Sequence, residues 1–148
     1  MSTEPIRVGA LGMGWWSDVL ADAIKRTPSM DIAACYTRSD SKREAFAEKY
    51  SCKATSTYEE LLADESIRGI INTTPNAVHL ETVQQAAEAG KHVFLDKPIA
   101  NTIADGKKIT QVCADCGVIL AVGYQRRREN HFRWIKEEIS AGRFGKLV

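Results

Sequence analysis

The sequence has almost no charge imbalance: 20 basic and 19 acidic side chains leave a formal net charge of +1 over 148 residues. No strong field of either sign therefore points to nucleic acid or to an anionic membrane, and a charged partner has to be met locally. Long apolar runs are missing as well. No stretch approaches the roughly 18 apolar residues of a spanning helix, and the opening MSTEPIRVGAL has no basic segment ahead of an apolar one, so a soluble, cytoplasmic protein is expected. Internal repeats, low-complexity segments and linkers rich in Pro, Gly and Ser are absent. One domain of ordinary size is the default, and with 44% of its residues apolar it can bury a proper core.

Metal-binding and disulfide patterns are also wanting. Cys35, Cys52, Cys113 and Cys116 are expected to be thiols, because a neutral chain of this length without a signal peptide does not need disulfides to fold. Cys113-Ala-Asp-Cys116 has the C-x-x-C spacing, yet no second ligand pair accompanies it and it lies near the end of a helical stretch, where small apolar residues against a sheet are expected. His79, His92 and His131 are scattered without metal-ligand spacing and read as surface or capping residues, so no metal is expected. The run Arg126, Arg127 and Arg128 is short and lacks a recognition motif, so no nucleic-acid partner is expected either.

What the sequence does have is alternation. Short β-branched runs at 6–11, 31–36, 52–54, 69–73, 92–95 and 118–122 are separated by helical patterns at 15–26, 42–50, 58–62, 77–89 and 103–116, with a last helix at 129–141. This predicts an α/β, Rossmann-like, doubly wound parallel sheet with helices on both faces. Thr57 with Glu60 forms a capping-box pattern, Gly90 and Gly117 are placed as C-terminal caps, and Pro28 closes the first helix. The last helix falls outside a minimal mononucleotide-binding sheet, so it covers an edge or begins a connection. The ending KLV has the character of a strand just starting.

The first strand runs into Gly12-Met13-Gly14-Trp15-Trp16-Ser17, a G-x-G-x-x-small pattern at a strand-to-helix turn. That is the context in which a dinucleotide pyrophosphate is held: one glycine for the tight turn, one for close backbone approach, and the N–H groups of the first helical turn for the negative charge. The alternative is a purely structural turn. Trp15 and Trp16 point in different directions on a helix; core packing is expected for each, with one of them able to sit at the rim of the nucleotide site. At the end of the second strand no acid stands where a ribose 2′-hydroxyl would be bound. Thr37 and Arg38, with Lys42 or Arg43 nearby, therefore favour NADP over NAD, against the alternative of a solvated basic turn. Thr73, Thr74, Pro75 and Asn76 end one later strand and Asp96-Lys97-Pro98 the next, both at the C-terminal ends of strands, where open α/β folds bind ligands. From position alone, Lys97 is either an active-site cation or a surface lysine.

The segments RVGALGMGWWSDVLADAI, TTPNAVHLETVQQAAEAGKHVFLDKPIA and VGYQRRREN together resemble the N-terminal part of the Gfo/Idh/MocA oxidoreductase family, over nearly the whole chain. The resemblance implies an NAD(P)-dependent enzyme that moves a hydride to or from a carbinol carbon of a sugar, cyclitol or similar polyol. It implies Lys97 as the catalytic lysine and places Gly12, Met13, Gly14, Trp15, Trp16, Thr37, Arg38, Thr73, Thr74, Pro75, Asn76, His79, Asp96 and Lys97 around the cofactor. It sets Tyr124, Gln125 and Arg127 beside the substrate, and suggests a cis bond before Pro98. Asp96 departs from the family's usual glutamate.

Family members are longer, so the expectation is a dinucleotide-binding domain over 1–125 and a connecting helix over 126–148 that leads to a substrate domain. An excised domain is favoured over a natural fragment, inactive alone, with the full-length protein a homo-oligomer. The rivals are a methyltransferase, which would want an acid at the end of the second strand, and a noncatalytic NAD(P)-sensing or interaction module. A short-chain dehydrogenase lacks its Tyr-x-x-x-Lys here.

Overall fold

The structure, a computed structural model, describes residues 4–146. Strands and helices alternate as β1 (Ile6–Leu11), α1 (Trp15–Lys25), β2 (Met30–Tyr36), α2 (Asp40–Tyr50), β3 (Lys53–Ala54), α3 (Tyr58–Ala63), β4 (Gly69–Asn72), α4 (His79–Glu88), β5 (His92–Leu95), α5 (Ile103–Asp115), β6 (Leu120–Val122) and α6 (Asn130–Ser140). The six strands form one sheet in the order β3-β2-β1-β4-β5-β6, and every pairing is parallel.

Two apolar layers cover the sheet, as a parallel sheet requires. On one face Val8, Ala10, Ile32 and Cys35 of the strands meet Ala21 and Ile24 of α1 and Phe46 and Tyr50 of α2. On the other, Leu11, Ala34, Ile70, Val93 and Leu95 meet Tyr58 and Leu61 of α3, Val83, Ala86 and Ala87 of α4, and Ile109 and Cys113 of α5. Successive residues of β1 go to opposite layers, the period-two signature of a strand buried on both sides. After β3 the chain crosses back to lay β4 on the far side of β1. The loops leaving β1 and β4 thus part in opposite directions, and a crevice opens at the C-terminal ends of these strands.

Thr57 accepts from the N–H of Glu60, and the Glu60 carboxylate returns to the N–H of Ser56 instead of that of the cap itself. Gly90 and Gly117 take the left-handed conformation expected of C-terminal caps. Three expectations are revised. The stretch 77–89 is split, because a 3-10 turn at Asn76–Val78 follows Pro75 before α4 starts. Trp15 is 77% exposed and Trp16 half-buried, so neither packs in the core: the buried stripe of α1 is Ser17, Ala21 and Ile24, and both indoles lie off it. His79 is fully buried instead of superficial.

All four cysteines are free; Cys113 packs into the core, whereas Cys116 is exposed at the end of α5. Helix α6 buries no side chain, so it does not cover the sheet edge. Leu147 and Val148, the suggested strand start, lie outside the described residues. Among those residues no helix is long and apolar enough to cross a membrane, and no three metal-ligating side chains cluster.

Candidate functional site

The glycine turn is clasped from both neighbouring strands. Gly12 donates its N–H to the Tyr36 carbonyl at 3.0 Å, while the Thr73 hydroxyl donates to the Gly12 carbonyl at 2.8 Å and the Thr73 N–H to the Leu11 carbonyl at 2.9 Å. Gly12 has φ +85°, and a Cβ there would stand 3.0 Å from the backbone of Thr73 and Thr74. No other residue fits without moving main chain. Gly14 differs in kind: its φ of −128° suits any residue, and a Cβ would meet nothing within 4 Å. The protein itself gives no reason for the bare backbone at Gly14. A ligand lying against it does.

Ser17 is more than a small residue. Its hydroxyl accepts from the Gly14 N–H at 3.0 Å and donates to the Gly14 carbonyl at 2.6 Å, which cinches the start of α1. The N–H groups of Met13, Trp15 and Trp16 are left without an acceptor among the described residues. Together with the positive end of the helix dipole they form an anion cradle.

Beyond the turn runs a groove of about 740 Å³ that brings together Gly12, Met13, Gly14, Thr37, Arg38, Thr73, Thr74 and Pro75. Arg38 is exposed on its wall beside Lys42, and neither has a carboxylate partner among the described residues. Arg43 is committed elsewhere: it donates to the Thr37 carbonyl at 3.0 Å, pairs with Asp40 at 2.8 Å and lies over the Tyr36 ring. Its role is to shape the turn at the end of β2. Tyr36 and Tyr58 stack 6.3 Å apart along the same groove, and Tyr58 donates its hydroxyl to the Thr82 carbonyl at 3.0 Å. Burial, helped by the charge of Glu59, pushes the Tyr58 phenol well above its ordinary pKa, so it stays a donor.

The turn after β4 is held by a residue the sequence did not single out. Asn72 is 1% exposed; its side-chain oxygen accepts from the N–H and hydroxyl of Thr74 at 3.0 and 2.7 Å, and its amide donates to the Thr82 hydroxyl at 2.8 Å. An Asn inside an otherwise apolar strand, two residues before a Thr, is the available signal. His79 sits behind the turn with both ring nitrogens facing main-chain carbonyls, those of Thr74 on one side and of Pro98 and Ile99 on the other. It reaches no groove.

At the end of β5 the Lys97–Pro98 bond is cis, as the resemblance suggested. Lys97 is exposed, and Asp96 is tied to β4 by its N–H on the Asn72 carbonyl at 2.9 Å. One carboxylate oxygen of Asp96, Oδ1, is buried with no hydrogen-bond partner. A buried oxygen of this kind is costly unless something donates to it. The open space at Gly14, the free N–H groups of the turn and the groove volume are what make the site fit a dinucleotide.

The remaining site residues are dispersed. Trp15 lines a smaller adjoining groove with Gly14 and Lys42, and Trp16 and Asn76 lie outside both grooves. Tyr124 borders an open depression with Pro98 and Ile103, while Gln125 and Arg127 are exposed on a 3-10 turn, the Arg127 guanidinium 6.0 Å from the Tyr124 ring.

Comparison with known proteins gives a match at residues 6–124 to the Gfo/Idh/MocA family, described as an oxidoreductase family with an NAD-binding Rossmann fold. The chain is similar to the scyllo-inositol 2-dehydrogenase (NADP(+)) IolW of Bacillus subtilis, 30% identical over 146 residues, with 94% of this chain and 38% of that protein covered. A Desulfitobacterium hafniense protein assigned as an NADPH-dependent oxidoreductase is 36% identical and superposes with a TM-score of 0.92, over 97% of this chain and 42% of its own. The WlbA dehydrogenase of Bordetella pertussis, solved with NADH and UDP-GlcNAcA, is 27% identical with a TM-score of 0.93, over 100% and 43%. The chain spans about two fifths of the length of such relatives.

Proposed function

This chain belongs to the Gfo/Idh/MocA oxidoreductase family, whose NAD-binding Rossmann fold it forms, and on that basis we propose that it is the cofactor domain of an enzyme oxidising or reducing a sugar, cyclitol or related polyol, with NADP preferred to NAD. The observation that carries the cofactor preference is the pair Arg38 and Lys42 on the groove wall, with no acid at the end of β2 to bind a 2′-hydroxyl. The named activities of IolW and WlbA support the substrate class. The reading gives the pyrophosphate to the anion cradle at 12–16 and the nicotinamide end to the turns at 73–76 and 96–98.

The nicotinamide, when bound, supplies the hydride acceptor or donor. Lys97 would then supply a cation and hydrogen-bond donor at the end of β5, steadying the substrate oxygen while a base of the proposed substrate domain takes its proton. Asp96, tied to β4 through its N–H on the Asn72 carbonyl, would fix the root of the turn that presents Lys97. Tyr124, Gln125 and Arg127 stand on the substrate side. The domain ends near residue 125, and α6 leads toward a substrate domain that completes the active site in a cytoplasmic, homo-oligomeric enzyme; this domain alone binds cofactor without turnover.

Calorimetric titration with NADPH and NADH side by side tests the cofactor preference. NADPH binds more tightly, and Arg38→Ala weakens it by about tenfold to a hundredfold, the worth of one charge-assisted hydrogen bond of about 1.5–3 kcal/mol, while NADH is almost unaffected. Equal losses for the two cofactors would overturn the assignment.

A further inference from the structure

The geometry points to His79 as a positioning residue that locks the turn bearing Lys97 onto the turn after β4. The clamp itself stands on the hydrogen bonds; its consequence for binding rests on the cofactor reading above.

His79 opens α4 and falls on the helix's buried stripe with Val83, Ala86 and Ala87, where an aliphatic residue would satisfy the packing. A fully buried imidazole is costly unless its nitrogens are bonded, so its presence asks for a polar task. The task is visible on both sides of the ring. Nε2 lies 2.9 Å from the Thr74 carbonyl, and Nδ1 lies 3.1 Å from that of Pro98 and 3.3 Å from that of Ile99.

The two turns are not equally anchored without it. The first is fixed to β4 and α4 through Asn72 and Thr82. The second has the N–H of Asp96 on the Asn72 carbonyl at its root, but among the described residues the hydrogen bonds that reach 97–100 all come from His79. Ile99 and Ala100 also pack against the core, so His79 supplies the hydrogen-bonded share of what sets the direction in which Lys97 leaves the sheet. Both partners are carbonyls and only accept, so the ring holds both turns at once when each nitrogen carries an N–H, and a ring with one N–H donates to one turn while the other nitrogen keeps only its contact. Phenylalanine keeps the volume and loses both contacts, while glutamine offers a single amide and reaches one turn.

The experiment compares His79→Phe and His79→Gln in this chain by backbone 15N order parameters and by titration. In His79→Phe, the amides of Lys97, Ile99 and Ala100 fall from the rigid value of about 0.85 to below about 0.6, while those of Ile70, Val83 and Val93 stay rigid. NADPH weakens by about tenfold, the loss expected of about one hydrogen bond's worth of ordering. Adenosine 2′,5′-bisphosphate, which lacks the nicotinamide half, binds as before. His79→Gln falls between the two, and decides the matter if His79→Phe does not fold.

Unchanged order at 97–100 overturns the proposal, as does an equal loss of order in the core strands, which would make His79 ordinary packing. If neither NADPH nor NADH binds the parent chain, the cofactor reading fails and the order parameters still decide the clamp.

Discussion

Gly12→Ala destabilises the domain by about 2–6 kcal/mol and Gly14→Ala by almost nothing, although both abolish tight dinucleotide binding. At Gly12 two costs add: holding a side chain at φ +85°, about 1–3 kcal/mol, and forcing a methyl group to 3.0 Å from the main chain of Thr73 and Thr74, of similar size. In a domain of this length that lowers the melting temperature by on the order of 10 °C. At Gly14 the backbone is extended and the space empty, so an alanine is tolerated as a surface change is, within about 0.5 kcal/mol. Its methyl stands where a phosphate would lie. Thermal melts with and without NADPH separate the two: Gly12→Ala melts low in both, whereas Gly14→Ala melts like the parent chain and gains nothing from cofactor. Gly14→Ala binding NADPH as the parent does would remove the phosphate from that position.

In the longer enzyme proposed above, Lys97→Met lowers turnover by about 10²–10³, the range for removing one preorganised donor to a developing charge, with cofactor affinity nearly unchanged. Methionine keeps much of the stem and removes the charge. The loss falls on kcat more than on KM for the polyol, because the ammonium matters most while charge develops on the substrate oxygen. A variant that turns over normally would make Lys97 a surface lysine, and a longer protein, substrate domain included, that binds cofactor yet oxidises or reduces no polyol would favour the noncatalytic sensing module.

The fold was legible because the residues that define it act locally. Strand limits at β1 and β5 follow from apolar runs with abrupt ends, and Thr57, Gly90 and Gly117 act on their own helix termini. Gly12 and Gly14 were legible as two demands, a tight turn and a close backbone approach; the Thr73 backbone that presses on Gly12 was not, because only the tertiary fold brings it there. Arg43 looked interchangeable with Lys42 as a cofactor ligand. Its spacing from Asp40 and its reach to the Thr37 carbonyl turn it inward, and that depends on how α2 leaves β2. Asn72 offered only the local signal of its spacing to Thr74, and the true place of His79 offered none: Thr82 on α4 and the carbonyls of two separate turns are brought to them by the tertiary fold. Trp15 and Trp16 misled through size, since large aromatics are core residues on average and these two begin a helix whose inward stripe starts one residue later.

The hydroxyl of Thr73 closes on the carbonyl of Gly12 across 61 residues of chain, from the second half of the sheet to the first. The Gly12 turn is therefore complete only where β1 is paired with β4, and a fragment ending at α3 lacks the residue that closes it. A ligand held there draws its affinity from the seam between the two halves. Its binding energy is thus returned as resistance to opening of the whole sheet, and the first structure lost on local unfolding of β4 is the one that recognises the cofactor.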